Sequence, residues 1–372
     1  MRIAFLCKRR YMSKDVIVDR YARLYEIPFQ LAKLGHDVMG FCLSYQRQDD
    51  THETHDASPG QLRWGSQSLG RLYAPALIAY PYSLLRRLRE FAPDLLIGAS
   101  DIPHVVLSAW LAKRLKLPYA VDLYDNFEGF GQARIPGMVP ALRRAVRNAA
   151  LVTTTSKPLK DFVVDVYRPH GDVISMPSTI DKAVFRPLDK TACRESLGLP
   201  VNVPLIGTAG GLYRDKGAET LYEAWKVIEK QHRDVHLVLA GPIEPRLPPP
   251  SGDRVHYLGS LPHARTAELF SALDVGAICI LDTPFGRYCF PQKAYEMLAC
   301  GLPVAAARIG AMADLLADTP SALYQAADPD SLASTLLAQL KSPLAATVTI
   351  DDWAQLISSL EPRLVQLTNH AA

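Results

Sequence analysis

The sequence predicts an α/β protein built from two doubly wound parallel-sheet domains. Three observations carry that expectation. Short apolar runs alternate with amphipathic helical stretches. The alternation halts in a Pro-containing stretch, from Phe185-Arg186-Pro187 to Leu199-Pro200, and then restarts. The chain has 372 residues, enough for two domains at roughly 150 residues each. Hydrophobic residues make up 48% and charged residues 21%, which excludes a disordered, collagen-like or coiled-coil chain. No apolar run reaches the ~18 residues that would cross a bilayer. The run at 3–7 is too short for a signal peptide, and Lys8-Arg9-Arg10 follows it rather than precedes it. Cysteines at 7, 42, 193, 279, 289 and 300 include no C-x-x-C pair. They are expected as reduced core residues of a cytoplasmic protein, not as a disulfide frame or a zinc site.

In the first half, residues 3–6, 38–42, 95–99, 119–123, 151–154 and 173–176 read as strands. Helical patterns lie at 105–115, 139–149 and 159–167, and an earlier one stops at Gly35. After the Pro-containing stretch, strands are expected at 205–208, 236–240, 255–258, 275–280 and 304–307. Helices are expected at 218–231, 264–273, 292–299 and 331–340. Residues 245–250 read as a surface loop. The expected domains are 1–187 and 188–345. The segment 346–372 carries a last amphipathic helix, over 353–367, that packs back on the first domain. Two such domains would face a cleft at the carboxyl ends of their strands, where open α/β sheets bind ligands.

Charge divides unevenly. Residues 1–187 carry 26 Lys and Arg against 18 Asp and Glu; residues 188–372 carry 15 against 20. Basic clusters lie at 8–10, 86–89, 113–116 and 143–147. They are read either as solvated helix faces or as a surface drawn to anionic lipid or a phosphorylated acceptor. Nucleic acid is not expected, because the clusters are separated and lack interleaved aromatics.

In the second half, Gly207-Thr208-Ala209-Gly210-Gly211-Leu212-Tyr213-Arg214-Asp215-Lys216-Gly217 leaves a strand and enters a helix. Glycines there let backbone N–H groups approach an anion, and Lys216 adds a point charge suited to phosphate. The bland alternative is a Gly-rich turn with a solvated lysine. Further on, Tyr288-Cys289-Phe290-Pro291-Gln292-Lys293-Ala294-Tyr295-Glu296 opens a short helix, with Pro291 at its first position and Gly301 as its stop. Glu296 falls among apolar neighbours and needs partners. It either pairs with Lys293 one turn back or accepts hydrogen bonds from two sugar hydroxyls. Asp328-Pro329-Asp330 spells D-x-D, but it precedes a helix, and Asp330 or Ser331 is read as an N-cap. No metal site is expected.

Together these segments resemble the retaining family-4 glycosyltransferases of the GT-B fold over nearly the whole chain. Weaker marks fall in the family's order. Ala150-Leu151-Val152-Thr153-Thr154-Thr155-Ser156 looks like one of its strands. Met176-Pro177-Ser178-Thr179-Ile180-Asp181 followed by Phe185-Arg186-Pro187 resembles its interdomain crossing. Leu237 to Gly241 and Val255 to Gly259 resemble two further strands.

The resemblance implies that Glu296, at the second Glu of an E-x7-E motif, holds the donor ribose. It also implies that Lys216 contacts the donor diphosphate, that amides around Phe290 and Pro291 face the sugar and phosphate, and that main chain near Tyr257 and Leu258 meets the base. Donor-binding residues are thus expected at Gly210, Gly211, Arg214, Lys216, Tyr257, Leu258, Tyr288, Phe290, Pro291 and Glu296. Two departures stand out. The first Glu of E-x7-E falls on Tyr288. The family's phosphate-binding Arg falls on Gly211, which leaves Arg214 as the candidate replacement.

In the first half, Asp122 and Asp125 flank Tyr124, at a position that is often His in the family. They are read as loop-capping carboxylates or as groups that orient the acceptor hydroxyl. The catalytic expectation is therefore Asp122, Asp125, Lys216 and Glu296. His104 is read as a helix-start residue. The family's N-terminal Gly-Gly loop is replaced by Lys8-Arg9-Arg10 and the residues after it.

The expected function is transfer of a sugar from a nucleoside diphosphate sugar to an acceptor hydroxyl, with retention, in surface polysaccharide or glycoconjugate synthesis. No cofactor is expected beyond the donor substrate. The acceptor would be a saccharide or a lipid-linked molecule, with peripheral membrane contact through the basic domain. Two alternatives stand: a nucleotide-sugar 2-epimerase on the same frame, and a non-catalytic nucleotide-sugar-binding subunit.

Overall fold

In a computed structural model of the chain, which describes residues 1–12, 14–69 and 73–369, the apolar run after Met1 becomes the strand Arg2–Lys8 inside an eight-stranded sheet. Across the sheet the order is Asp172–Ser175, Leu151–Thr154, Tyr119–Leu123, Leu95–Gly98, Arg2–Lys8, Asp37–Ser44, Gly60–Ser68 and His52–Ala57. All neighbours are parallel except the last pair, a hairpin. Leu95–Gly98, Tyr119–Leu123 and Leu151–Thr154 are buried at every residue, so they read as unbroken apolar runs.

Among the elements of this unit that escaped the sequence reading are the strands His52–Ala57 and Gly60–Ser68 and the helix Tyr73–Phe91. In His52–Ala57 only His55 and Ala57 are fully buried, and the strand is otherwise polar. The helix Tyr73–Phe91 contains Pro81 and leaves Leu77, Ile78 and Tyr82 exposed, which blurs its stripe.

The second unit holds a six-stranded parallel sheet in the order Val255–Tyr257, His236–Ala240, Leu205–Ala209, Val275–Ile278, Val304–Ala307 and Leu323–Tyr324. Helices such as Ala218–Gln231 and Pro329–Lys341 cover it. Asp328, not Asp330 or Ser331, caps the latter helix: its carboxylate accepts the Ser331 amide at 3.0 Å.

The units divide as Met1–Ser178 with Trp353–Ala372, and Thr179–Asp352. The sequence placed this boundary later, at 187/188. Ile180 and Phe185 already lie in the second core, at 2% and 1% exposure, which moves the division forward. The segment 346–372 is itself split. Ala346, Val348 and Ile350 pack on the second core. The helix Trp353–Asn369 buries Trp353, Ile357, Leu360 and Leu364 in the first, against the helix Ala22–Lys33.

Candidate functional site

The strand Leu205–Ala209 runs out into Gly210 and Gly211. Gly210 has φ +112°, in the region that favours glycine, and so does Gly241 at φ +128° after the neighbouring strand. A Cβ on Gly241 would lie 2.0 Å from the Gly210 carbonyl oxygen, so the two turns touch through bare backbone. The Tyr257 hydroxyl donates to the Gly241 carbonyl at 2.7 Å, and the Gly241 amide donates to Gly259 at 2.7 Å. Tyr257 therefore braces the turn through its side chain. The Leu258 amide is used within the sheet, bonded to the Leu239 carbonyl at 2.9 Å.

Lys216 ends the single turn Arg214–Lys216 that leads into the helix Ala218–Gln231. Its ammonium sits 3.5 Å from the ring centre of Phe285 and 3.7 Å from Asp215. Arg214 is engaged elsewhere: its guanidinium pairs with Glu219, and its amide donates to Glu244 at 2.8 Å. This geometry corrects the expectation that Arg214 supplies the charge missing at Gly211. At Gly211 itself a Cβ would lie 2.6 Å from Cε2 of Tyr213, so the Tyr213 ring occupies the space of the absent side chain.

The helix Gln292–Ala299 starts after Pro291, which is its N-cap rather than its first helical residue, and Gly301 follows its end at φ +73°. Its Ala294 amide already donates to the Pro291 carbonyl at 2.8 Å, so the open donors of this helix start are the amides ahead of it. Phe290 packs edge-on against Tyr295, with ring centroids 4.6 Å apart. Tyr288 is half-buried at the end of the short helix Pro284–Tyr288. The Glu296 side chain is only 13% exposed, and His263 Nε2 lies 3.9 Å from its carboxylate. Burial pushes the Glu296 carboxyl up to about 7, with Lys293 pulling it down.

Lys293 was legible in the sequence only as a partner for Glu296. Its ammonium in fact lies at the Gly210 turn, 3.3 Å from where a Cβ on Gly210 would be. Lys293 thus lies beside Gly210 at the carboxyl end of the Leu205–Ala209 strand, within electrostatic reach of Glu296 and Lys216. Such a set of exposed backbone, ammonium groups and one buried carboxylate suits an anion joined to a hydroxyl-bearing ring.

Residues 203–342 match the family model "Glycosyl transferases group 1", and residues 22–178 match "Glycosyl transferase 4-like domain". The chain carries a group 1 glycosyl transferase domain and a glycosyl transferase 4-like domain. A D-inositol 3-phosphate glycosyltransferase of Stackebrandtia nassauensis is 30% identical over 60% of this chain and 51% of its own length. A Bacillus subtilis protein, provisionally named a teichuronic acid biosynthesis glycosyltransferase, is 23% identical over 75% of this chain and 68% of its own. The chain thus spans about half the length of the first of these. Among solved structures, Anabaena HepE in complex with UDP matches with a TM-score of 0.66 at 16% identity, over 100% of this chain and 98% of that one. The fold is that of the GT-B glycosyltransferases.

The other residues singled out for the site lie in the first unit. Asp122 is 1% exposed. Arg23, fully buried, donates to both its oxygens at 2.6–2.9 Å, and the Thr153 hydroxyl donates to it at 2.5 Å. The other arm of Arg23 donates to the Met176 carbonyl at 2.5 Å. This corrects the catalytic expectation for Asp122: its oxygens are consumed inside the core.

Asp125 stands past the end of the strand, half-buried, and accepts the Asn126 amide at 2.7 Å. Lys8 is nearby: its ammonium donates to the Tyr124 hydroxyl at 3.2 Å, and that hydroxyl donates to the Ser100 carbonyl at 2.9 Å. Burial pushes the Lys8 ammonium down, against the pull of Asp101, Cys7 and Asp125. His104 opens the helix Ile102–Leu115, with its amide and Nδ1 both on Asp101.

On the same unit, the exposed Tyr82 meets Trp110 edge-on at 5.8 Å, and the Arg114 guanidinium lies 4.7 Å above the Trp110 ring. Trp110, Val106 and Ala141 line an open groove whose cations are Lys113, Lys116 and Arg144. No described helix is long and apolar enough to cross a membrane.

Proposed function

We propose that this protein transfers a sugar from a nucleoside diphosphate sugar to an acceptor hydroxyl with retention of configuration, in the synthesis of a surface polysaccharide or glycoconjugate. The observation that carries the reading is the touching pair of Gly210 and Gly241 turns, with the Lys293 ammonium at Gly210 and within electrostatic reach of both Lys216 and Glu296. The diphosphate would lie over the Gly210 turn and the start of the helix Gln292–Ala299, beside Lys216. Glu296 would accept two hydrogen bonds from the ribose.

In the reaction, the bond between the sugar's anomeric carbon and the diphosphate oxygen breaks. A bond to the acceptor oxygen forms, and the acceptor proton passes to the leaving diphosphate. Charge grows on the diphosphate, so preoriented amides and an ammonium lower the barrier. Asp125, beside Lys8 and Tyr124, would orient the acceptor hydroxyl. The group 1 domain and the UDP-bound structural relative support the donor class. Retention rests on the resemblance.

The acceptor we propose is a saccharide or lipid-linked molecule, met at an anionic membrane surface. The exposed Leu77, Ile78 and Tyr82 beside Arg86, Arg89, Lys113 and Arg114 support that, since aromatic and apolar side chains flanked by cations suit an anionic interface.

The test is a transfer assay with radiolabelled UDP- and GDP-sugars and membrane extract as acceptor, with the product linkage read by NMR. Diphosphate release with a retained anomeric centre is the expected result. Conversion of the nucleotide sugar to an epimer without acceptor would replace this reading with the isomerase one.

A further inference from the structure

This inference rests on the proposed donor site and deepens it. In the family pattern an arginine stands where this chain has Gly211, and here the Tyr213 ring fills the space that such a side chain would need. Arg214 is committed to Glu219. One cation of the diphosphate site is thus unaccounted for on the Gly-rich turn.

Lys293 reaches the same turn at Gly210. It leaves the first turn of the helix Gln292–Ala299, and its Nζ and Cε lie 3.3 and 3.5 Å from the Cβ position of Gly210. Any residue but glycine at 210 would press on the ammonium, so the turn is open just where Lys293 arrives. Among the described residues, Lys293 makes no hydrogen bond and has no carboxylate within 4 Å; Glu296 and Cys279 act on it only from a distance. Burial pushes the ammonium down, and the charge of Lys216 adds to the depression. Two lysines from different elements therefore converge beside exposed backbone and a helix start. An anion seated between them would relieve the repulsion and supply the hydrogen bonds that Lys293 lacks.

We infer that Lys293 is a donor-binding residue, the second diphosphate cation beside Lys216, and that it does from the helix what the family's arginine does from the Gly-rich turn.

The test is calorimetric titration of the full chain with UDP, GDP, the matching nucleosides and inorganic pyrophosphate, a probe that carries no base. Wild type should bind pyrophosphate and at least one nucleoside diphosphate. Lys293→Met should lower affinity for both by about tenfold or more and leave the nucleoside within about twofold. Lys293→Arg should keep most of the affinity, and it replaces the Met variant should that variant fail to fold, with a loss above tenfold counting against the proposal. Equal diphosphate affinity in Lys293→Met would overturn the inference and leave the proposed function standing, as would a nucleoside loss as large as the diphosphate loss, which marks a structural role. Absence of any diphosphate binding by wild type would instead remove the donor site itself.

Discussion

Arg23 and Asp122 form a bidentate pair at the heart of the first unit, with side-chain exposures of 0% and 2%. Two full charges out of water hold together only while both are present, because either one alone is left unsolvated. The pair joins the helix Ala22–Lys33 to the strand Tyr119–Leu123, and through Met176 to the end of the unit's last strand. Asp122→Asn should therefore destabilise the protein by about 3–5 kcal/mol, measured by denaturant unfolding. A loss of sugar transfer with unchanged stability would return Asp122 to the reaction.

Glu296 gives a pH signature. Its carboxyl is raised from 4.5 to about 7, so the folded state holds the proton more tightly than the unfolded chain does. Stability then falls as pH rises from about 4.5 through 7, by up to about 3 kcal/mol. Glu296→Gln removes that penalty. Its melting temperature should exceed wild type at pH 8, and the gap should shrink to nothing near pH 4. The same variant should lose nucleoside diphosphate affinity, since an amide accepts ribose hydroxyls less well than a carboxylate. A melting gap that ignores pH would contradict the account.

Lys216 is half-exposed and rests on an aromatic ring, so its removal disturbs little packing. Lys216→Ala should shift the melting temperature hardly at all and cut turnover by about tenfold to a hundredfold, the range for one charged hydrogen bond. Steady-state kinetics beside a thermal melt separates the two effects.

Tyr257 reaches the site through Gly241. Tyr257→Phe deletes the hydroxyl that braces the Gly241 carbonyl, at a cost of roughly 1 kcal/mol. Because Gly241 abuts Gly210, diphosphate affinity should fall several-fold. Unchanged affinity would show that the brace does not reach the site.

The parts legible in the sequence are those whose signal is local. Strands such as Leu95–Gly98, buried on both faces, announce themselves as apolar runs. The helix Gln292–Ala299 is bracketed by Pro291 and Gly301, and so places Glu296. What escaped depends on contacts that only the folded chain makes. Asp122 resembles a loop carboxylate until Arg23 is seen around it. Lys293 belongs, by spacing, to Glu296; only the folded second unit brings its ammonium to Gly210. Arg214 stands at a plausible distance from Gly211, yet Glu219, on the first turn of the next helix, takes it. The domain boundary was displaced for a related reason: the Pro-containing stretch marks a break in pattern, whereas Ile180 ahead of it and Phe185 at its start already lie in the second core.

The central claim is that a nucleoside diphosphate lodges on the second unit, with Lys216 on the phosphates and Glu296 on the ribose. A calorimetric panel of nucleoside diphosphates against wild type, Lys216→Ala and Glu296→Gln tests it most directly. The account predicts one site per chain in wild type for at least one diphosphate, weakened by about tenfold or more in each variant. Binding of no diphosphate at millimolar concentration, or equal affinity in all three proteins, would contradict it.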